Sequence, residues 1–398
     1  KWLIEKGICG IDLATYASTP QEIRAAFAAL RELSRGRNAP VAEPLGQRMS
    51  AAPDEWPIAD FSIYDLEQYR ADPFRALPEE LGGYDGSQPS MLVLPYHFTY
   101  DCQYVCTFCQ RGGTQSAKSM DRVVRDLAAL SERYETREIL LFDTQVNLYA
   151  EDFARALIDA KLGLRWSNSY RVRPSRPGAL SLLAESGCVG LTIGVESASE
   201  KMLRKMVKGH LAWHATRLLQ EAHDCEIMTR VNLLPCFPGE TREDFIETRD
   251  WLEENAGVID DIAPSSFYLA EGSPIGLEPE KFGLRIRNRR LLMGDHKFRK
   301  NLGSLEYDEI DGMTWEERSS TLRPAEDELR QAWERGRGPR GRIKFLTSAM
   351  IFAMRRAFPT KGEAYDAMRR WWGPPPTKPP RIVSPKSPPA PLSNRFDA

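Results

Sequence analysis

Tyr100-Asp-Cys102-Gln-Tyr-Val-Cys106-Thr-Phe-Cys109-Gln-Arg-Gly-Gly113 decides how the chain is read. Its three cysteines stand at Cys-x3-Cys-x2-Cys spacing within eight residues. Thiolates so close together hold three irons of a [4Fe–4S] cluster and leave the fourth iron without a protein ligand, whereas electron-transfer clusters take four cysteines. An open iron is a place where a small molecule binds and reacts. A structural zinc site would need a fourth Cys or His at a recognisable spacing, and the nearest, His97, lies on the wrong side of a predicted strand. Disulfides do not suit an odd seven cysteines without a secretion signal.

Outward from this loop, short buried runs alternate with helical spacing. Strands are predicted over residues 91–95, 138–143, 164–172, 189–196, 227–234 and 262–269, and helices over 119–134, 151–161, 178–185, 200–206, 213–224 and 241–254. Val123, Val124, Leu127, Leu130 and Tyr134 share one side of the first helix. Thr241, three residues before Asp244, is the expected N-cap of the last. Alternating strands and helices form a parallel sheet with right-handed crossovers. Six repeats suit an α/β fold with a partial, TIM-like (β/α)6 barrel. In such barrels chemistry sits at the C-terminal strand ends, where the cysteine loop begins.

The triplet, with Phe108 in the aromatic slot before the last cysteine, resembles the Cys-x3-Cys-x-aromatic-Cys pattern of the radical S-adenosylmethionine (SAM) superfamily. The resemblance runs from residue 89 to residue 283. It implies that SAM chelates the open iron, and that an electron from the reduced cluster cleaves it to methionine and a 5′-deoxyadenosyl radical. That radical takes hydrogen from unactivated C–H bonds, while the protein positions it and excludes water and oxygen.

Further site candidates follow from the same resemblance. Gly194-Val-Glu196-Ser197 is similar to the family's fourth-strand motif, which implies that Glu196 accepts the ribose hydroxyl protons of SAM. Asp143-Thr-Gln145 ends the second strand, where the family places polar residues near the methionine amino group; the usual glycines are missing, and Gln145 is the candidate. Arg171 and Arg173 are candidates for the SAM carboxylate, since guanidinium binds carboxylate bidentately, with an external salt bridge as the alternative for either. Asn232-Leu-Leu-Pro-Cys236-Phe-Pro-Gly-Glu-Thr241 resembles the fifth-strand segment beside the adenine, with Asn232 as the contact and Cys236 where the family usually has Gly. Cys236 reads as a small buried hydrophobe, the alternative being a thiol that donates hydrogen or binds substrate. Cys9, Cys188 and Cys225 read as buried structural thiols, and no second cysteine cluster suggests auxiliary Fe–S centres.

Residues 1–35 read as a strand and a helix opened by Thr19-Pro20, and residues 36–88 as a linker rich in Pro, Asp and Gly. This arrangement, with the run from Ser273 to Gly283, resembles the cobalamin-associated branch of the superfamily, in which a cobalamin-binding domain precedes the radical domain and many members methylate unreactive carbons. Residues 1–35 then stand as the remnant of such a domain, although no Asp-x-His-x-x-Gly ligand motif occurs in the chain. Residues 89–283 are the expected barrel and 284–372 an α-rich C-terminal extension, with an apolar helix over 343–358 packed on the barrel as a lid or cap. The Pro-rich tail, 373–398, is expected to be disordered.

Hydrophobic residues make up 42% and charged residues 28%, with no apolar run long enough for a membrane span. A cytoplasmic location follows from cysteines that need a reducing compartment and from the lack of a signal peptide. The net charge of −2 is uneven, with fourteen Lys and Arg against three acids from Arg335 onward. Without a nucleic-acid motif, that basic tail reads as a solvated or packing extension. Expected partners are a small-molecule or peptide substrate and an external flavodoxin- or ferredoxin-like electron donor. The expected function is C–H functionalisation by a radical SAM enzyme, cobalamin-dependent methyl transfer being one form of it. The alternatives are a cobalamin-independent rearrangement, cyclisation or oxidation, and a catalytically silent Fe–S binding or sensing protein.

Overall fold

Side-chain alternation along six short strands sets the architecture. They are β1 (Val93–Tyr96), β2 (Glu138–Leu141), β3 (Arg165–Arg171), β4 (Cys188–Glu196), β5 (Met228–Leu233) and β6 (Asp261–Pro264). The computed structural model describes residues 52–70, 91–110, 115–173, 176, 178–290, 304–338 and 348–372. The strand and helix expected within residues 1–35, together with Cys9 and the Pro-rich tail, lie outside this set. All six strands pair in parallel and in chain order, from Val93 beside Glu138 to Arg230 beside Asp261. An order without jumps means that every crossover turns the same way, so the sheet curls into an open arc with β1 and β6 as its edges. This is the expected partial barrel.

The crossovers carry α1 (Met120–Arg133), α2 (Ala150–Ala160), α3 (Ala179–Glu185), α4 (Glu200–Lys205), α5 (Ala212–Asp224) and α6 (Arg242–Asn255). One sheet face is apolar: Ile139, Leu191, Ile193, Val231 and Leu233 are buried against Leu127, Phe153, Leu183, Leu219 and Leu252 of the helices. Each such side chain contributes about 1.5–3 kcal/mol by leaving water. The alternate positions face the lumen and, beyond the apolar base, include small and polar residues, with Ser169, Thr192, Arg230 and Asp261 in one cross-strand row. Ser119 caps α1, and Thr241, as expected, caps α6 in a reciprocal box with Asp244.

The sixth strand is shorter than expected. Pro264 ends it, and Leu269 belongs to another sheet, in which β7 (Leu269–Ala270) and β8 (Leu284–Arg290) flank β9 (Ser304–Glu309). This antiparallel sheet was not foreseen, although Leu284 and Ile286 alternate with Arg285 and Arg287. After the short α7 (Pro274–Leu277) and this sheet, α8 (Trp315–Gly336) packs on the barrel with Leu329 and Trp333 in the main core. The apolar helix is present as α9 (Ser348–Ala357), followed by α10 (Lys361–Trp372). Together they close the N-terminal end of the barrel: Phe352, Ala353, Met354 and Tyr365 pack on Met91, Val189 and Met228. Gly190 makes room for this plug, since a Cβ there would come within 3.1 Å of Ile351. With its base closed, the barrel opens at the cysteine end.

Candidate functional site

The cysteine loop leaves β1 and is tied down at once. Asp143, just past β2, accepts from the amides of Phe98 (3.0 Å) and Thr99 (2.7 Å) and from the Thr99 hydroxyl (2.8 Å) through Oδ1, and from Asn168 Nδ2 (3.0 Å) through Oδ2. Burial pushes the Asp143 carboxyl up, and these hydrogen bonds oppose the shift. Asp101 takes a left-handed conformation (φ 61°), one that Asp tolerates better than most residues, and turns the chain into Cys102. Farther along, the Thr107 amide donates to Met206 O (3.2 Å), its hydroxyl to Lys205 O (3.0 Å), and its carbonyl accepts from the Ile275 amide (3.0 Å). Cys102 and Cys106 are buried and Cys109 is half-buried.

The residues after α4 form a strap across this loop. Arg171, the last residue of β3, joins the two: Nη1 donates to Cys106 Sγ at 3.0 Å and Nη2 to the carbonyls of Val207 (3.3 Å) and Lys208. Lys208 then reaches Glu196, at the end of β4, with Nζ 3.1 Å from Oε1 and 5.9 Å from the centre of the Phe108 ring. Glu196 is itself left-handed (φ 69°), a strained setting that re-aims a strand-end side chain. His210 is buried beneath the strap, and burial, Lys208 and Arg171 hold its pKa down to about 3, so the imidazole is neutral. The strap thus links the Cys106 thiol, the Phe108 ring and the Lys208–Glu196 pair at the open end of the barrel.

The pattern described as the Radical SAM superfamily matches residues 96–252, from the end of β1 through the loop and strap to α6. Residues 96–252 are a radical SAM domain. The family works with a [4Fe–4S] cluster and SAM. The chain is 26% identical over 223 residues to an uncharacterized methyltransferase of Pyrococcus horikoshii, covering 54% of this chain and 43% of that protein. It is 28% identical over 211 residues to a tRNA-2-methylthio-N(6)-dimethylallyladenosine synthase of a Thermoanaerobacter species, covering 48% of this chain and 44% of that protein. The chain therefore spans less than half the length of these two curated relatives. Among solved structures, the cobalamin- and [4Fe–4S]-bound radical SAM methyltransferase TsrM from Kitasatospora setae superposes with a TM-score of 0.51 at 16% identity, over 71% of this chain and 60% of that one. At that identity the likeness is one of fold.

Within the radical SAM domain the expected residues separate into two groups. Cys106, Phe108 and Glu196 are joined through the strap, with Arg171 on Cys106 and Lys208 between Glu196 and the Phe108 ring, while Cys102 and Cys109 lie on the same loop; Asn232 pairs across the sheet with Gly194 two residues from Glu196. Gln145 and Arg173 are engaged elsewhere. Gln145 donates to Gln115 Oε1 (2.6 Å) and accepts from the Asn147 amide (2.9 Å), and Arg173 donates to Asn147 O (3.2 Å). Arg171 lies on Cys106, a third position that neither reading of it foresaw. Lys208 was missed altogether; its one signal is a Lys-Gly pair just past a short helix. Cys188 is buried as expected, while Cys225 is half-buried. Cys236 is buried with its Sγ 3.9 Å from Thr321 Oγ1, and its φ of 62° is a backbone conformation that suits Gly better than Cys.

Among the described residues, no three His, Cys, Asp or Glu side chains converge on one point as a mononuclear ion requires. The donor set is three thiols, two of them buried and one bonded to a guanidinium, and this suits a cluster that spreads its ligands over separate irons. Toward the base of the lumen lies a cavity of about 210 Å³, lined by Asp143, Ser167, Ser169, Thr192, Arg230, Asp261 and Ile351. Arg230 and Asp261 form an ion pair there at 2.9 Å. A wider groove of about 580 Å³ runs between α1 and α2 on the outside, lined by residues such as Asp121 and Arg155 and by no cysteine. No helix among the described residues is long and apolar enough to cross a membrane.

Proposed function

We propose that the protein is a radical SAM enzyme that functionalises a C–H bond of a small molecule or peptide, and that methyl transfer is one form this chemistry takes here. The observation that carries the reading is the thiol triplet at the C-terminal strand ends with an ion pair, Lys208 and Glu196, beside it. Cys102, Cys106 and Cys109 would hold the cluster, which would supply the electron for reductive cleavage of SAM. Glu196 would offer acceptors to the ribose hydroxyls of SAM, and Lys208 would offer a cation to its carboxylate. Asn232 would lie on the adenine side, and Gln145 and Arg173 hold the segment after β2. The polar lumen with its Arg230–Asp261 pair orients a substrate above the Ile351 plug, where the closed base excludes water. Methyl transfer is suggested by the names of a relative and a fold neighbour; the described residues include no group that we assign to cobalamin.

Anaerobic reconstitution with iron and sulfide, then reduction with SAM, should yield 5′-deoxyadenosine, and Cys106→Ala should abolish it. A full cluster in the wild-type protein without any SAM cleavage would refute the reading. S-adenosylhomocysteine together with a methylated product would identify the transfer as methylation.

A further inference from the structure

We propose that Arg171 is a positioning residue that sets the reduction potential of the cluster bound by Cys106. The inference rests on the radical SAM reading above. Arg171 is 8% exposed, and its guanidinium lies 3.9 Å from the centre of the Tyr104 ring while Nη1 donates to Cys106 Sγ at 3.0 Å. Its backbone is clamped from both sides by Asn147: the Arg171 amide donates to Oδ1 at 2.7 Å, and its carbonyl accepts from Nδ2 at 2.9 Å. The side chain therefore reaches the loop from a fixed origin, and the strap carbonyls of Val207 and Lys208 hold the far edge of the fork.

Charge makes this contact more than packing. Nearby Lys208 has Glu196 as its counter-ion, whereas no carboxylate forms an ion pair with Arg171 among the described residues. A buried cation without an anion is costly. The group within its reach that can carry negative charge is the Cys106 sulfur, which is an anion once it ligates iron. Hydrogen bonds to cluster sulfurs and the local net charge are two of the factors that set a cluster's potential. A charge-assisted N–H bond to a ligating sulfur favours the reduced cluster, which carries one more negative charge than the oxidised one. Arg171 then raises the potential and eases electron delivery by the external donor. A lysine would keep the charge without the planar fork that spans sulfur and carbonyls together.

The test compares reconstituted wild-type, Arg171→Gln and Arg171→Lys proteins, in the absence of SAM and substrate. Iron and sulfide per chain are measured beside the midpoint of an EPR-monitored redox titration. At the wild-type midpoint, Arg171→Gln should show a reduced-to-oxidised ratio lower by about tenfold, equivalent to about 59 mV for one electron. Arg171→Lys should fall between the two. Equal midpoints at equal iron content would overturn the proposal. So would loss of iron from Arg171→Gln with an unmoved midpoint in Arg171→Lys, because that pair of results reduces Arg171 to loop packing. A wild-type protein that assembles no [4Fe–4S] cluster would instead sink the radical SAM reading, a result distinct from a cluster whose potential does not respond.

Discussion

Cys236 and Glu240 show how two residues at a strand end trade backbone strain against burial. Cys236 sits in the left-handed region at φ 62°, which costs a non-glycine residue about 1–3 kcal/mol. Cys236→Gly relieves that strain and loses a buried thiol, so its urea midpoint should correspond to a change within about 1 kcal/mol. Cys236→Val adds a β-branch to the same φ and should lose about 2 kcal/mol or more. The Cys236 amide donates to Glu240 Oε2 at 2.5 Å. Burial pushes the Glu240 carboxyl up to about 7, with Asp244 and Glu309 adding to the shift. Between its ordinary range and about 7 the folded state binds more protons than the unfolded one. This group's contribution to stability therefore falls as pH rises through that window. Relative to Glu240→Gln, the wild-type protein should lose up to a few kcal/mol between about pH 5 and about pH 8. Parallel pH profiles for the two proteins would contradict the assignment.

At the scale of elements, the α6 N-terminus binds the end of β4 to the next crossover. Asp244 closes the capping box with Thr241, accepts from Ser199 Oγ at 2.8 Å and pairs with Lys201 at 2.6 Å. Thr241→Ala should cost about 1 kcal/mol in chemical denaturation. Asp244→Ala strands three partners and should cost about 2–3 kcal/mol; equal losses would show that the cap alone matters. These caps were readable because their partners stand three residues apart. The strands were readable from apolar runs, and the candidate thiol site from the spacing of its cysteines. The strap was not, since Arg171 meets Cys106 across 65 residues and Lys208 across 37. No local pattern encodes contacts of that range. Residues 262–269 looked like one strand because Phe267, Tyr268 and Leu269 resume an apolar run soon after Pro264, yet proline removes a donor there and the chain leaves the sheet.

On the scale of the whole molecule, α9 and α10 hold the base of the barrel, and a buried latch fixes them. Lys361 Nζ lies 2.7 Å from Asp260 Oδ2 and donates to Ile227 O at 3.0 Å, while Tyr365 donates to Asp260 Oδ1 at 2.6 Å. Asp260 is 1% exposed; burial raises its pKa, but Lys361 and these hydrogen bonds outweigh that and lower it. An apolar helix was legible as a cap, but which end of the barrel it closes depends on this pairing with the turn before β6. Lys361→Met leaves the carboxylate buried without a counter-ion, and the variant should lose about 3–5 kcal/mol near neutral pH. In wild type the depressed pKa gives stability that is present above the ordinary carboxylate range and lost as pH falls. In the variant, desolvation raises the Asp260 pKa, so the protonated form is favoured and stability returns on acidification. The gap between the two proteins should therefore narrow from about pH 7.5 to about pH 5, and Asp260→Asn in the Lys361→Met background should recover part of the loss. A gap independent of pH, with no recovery in the double variant, would mean that the apolar contacts of Phe352 and Met354 alone hold the plug. In that case the base of the lumen would stay closed whether or not the latch is charged.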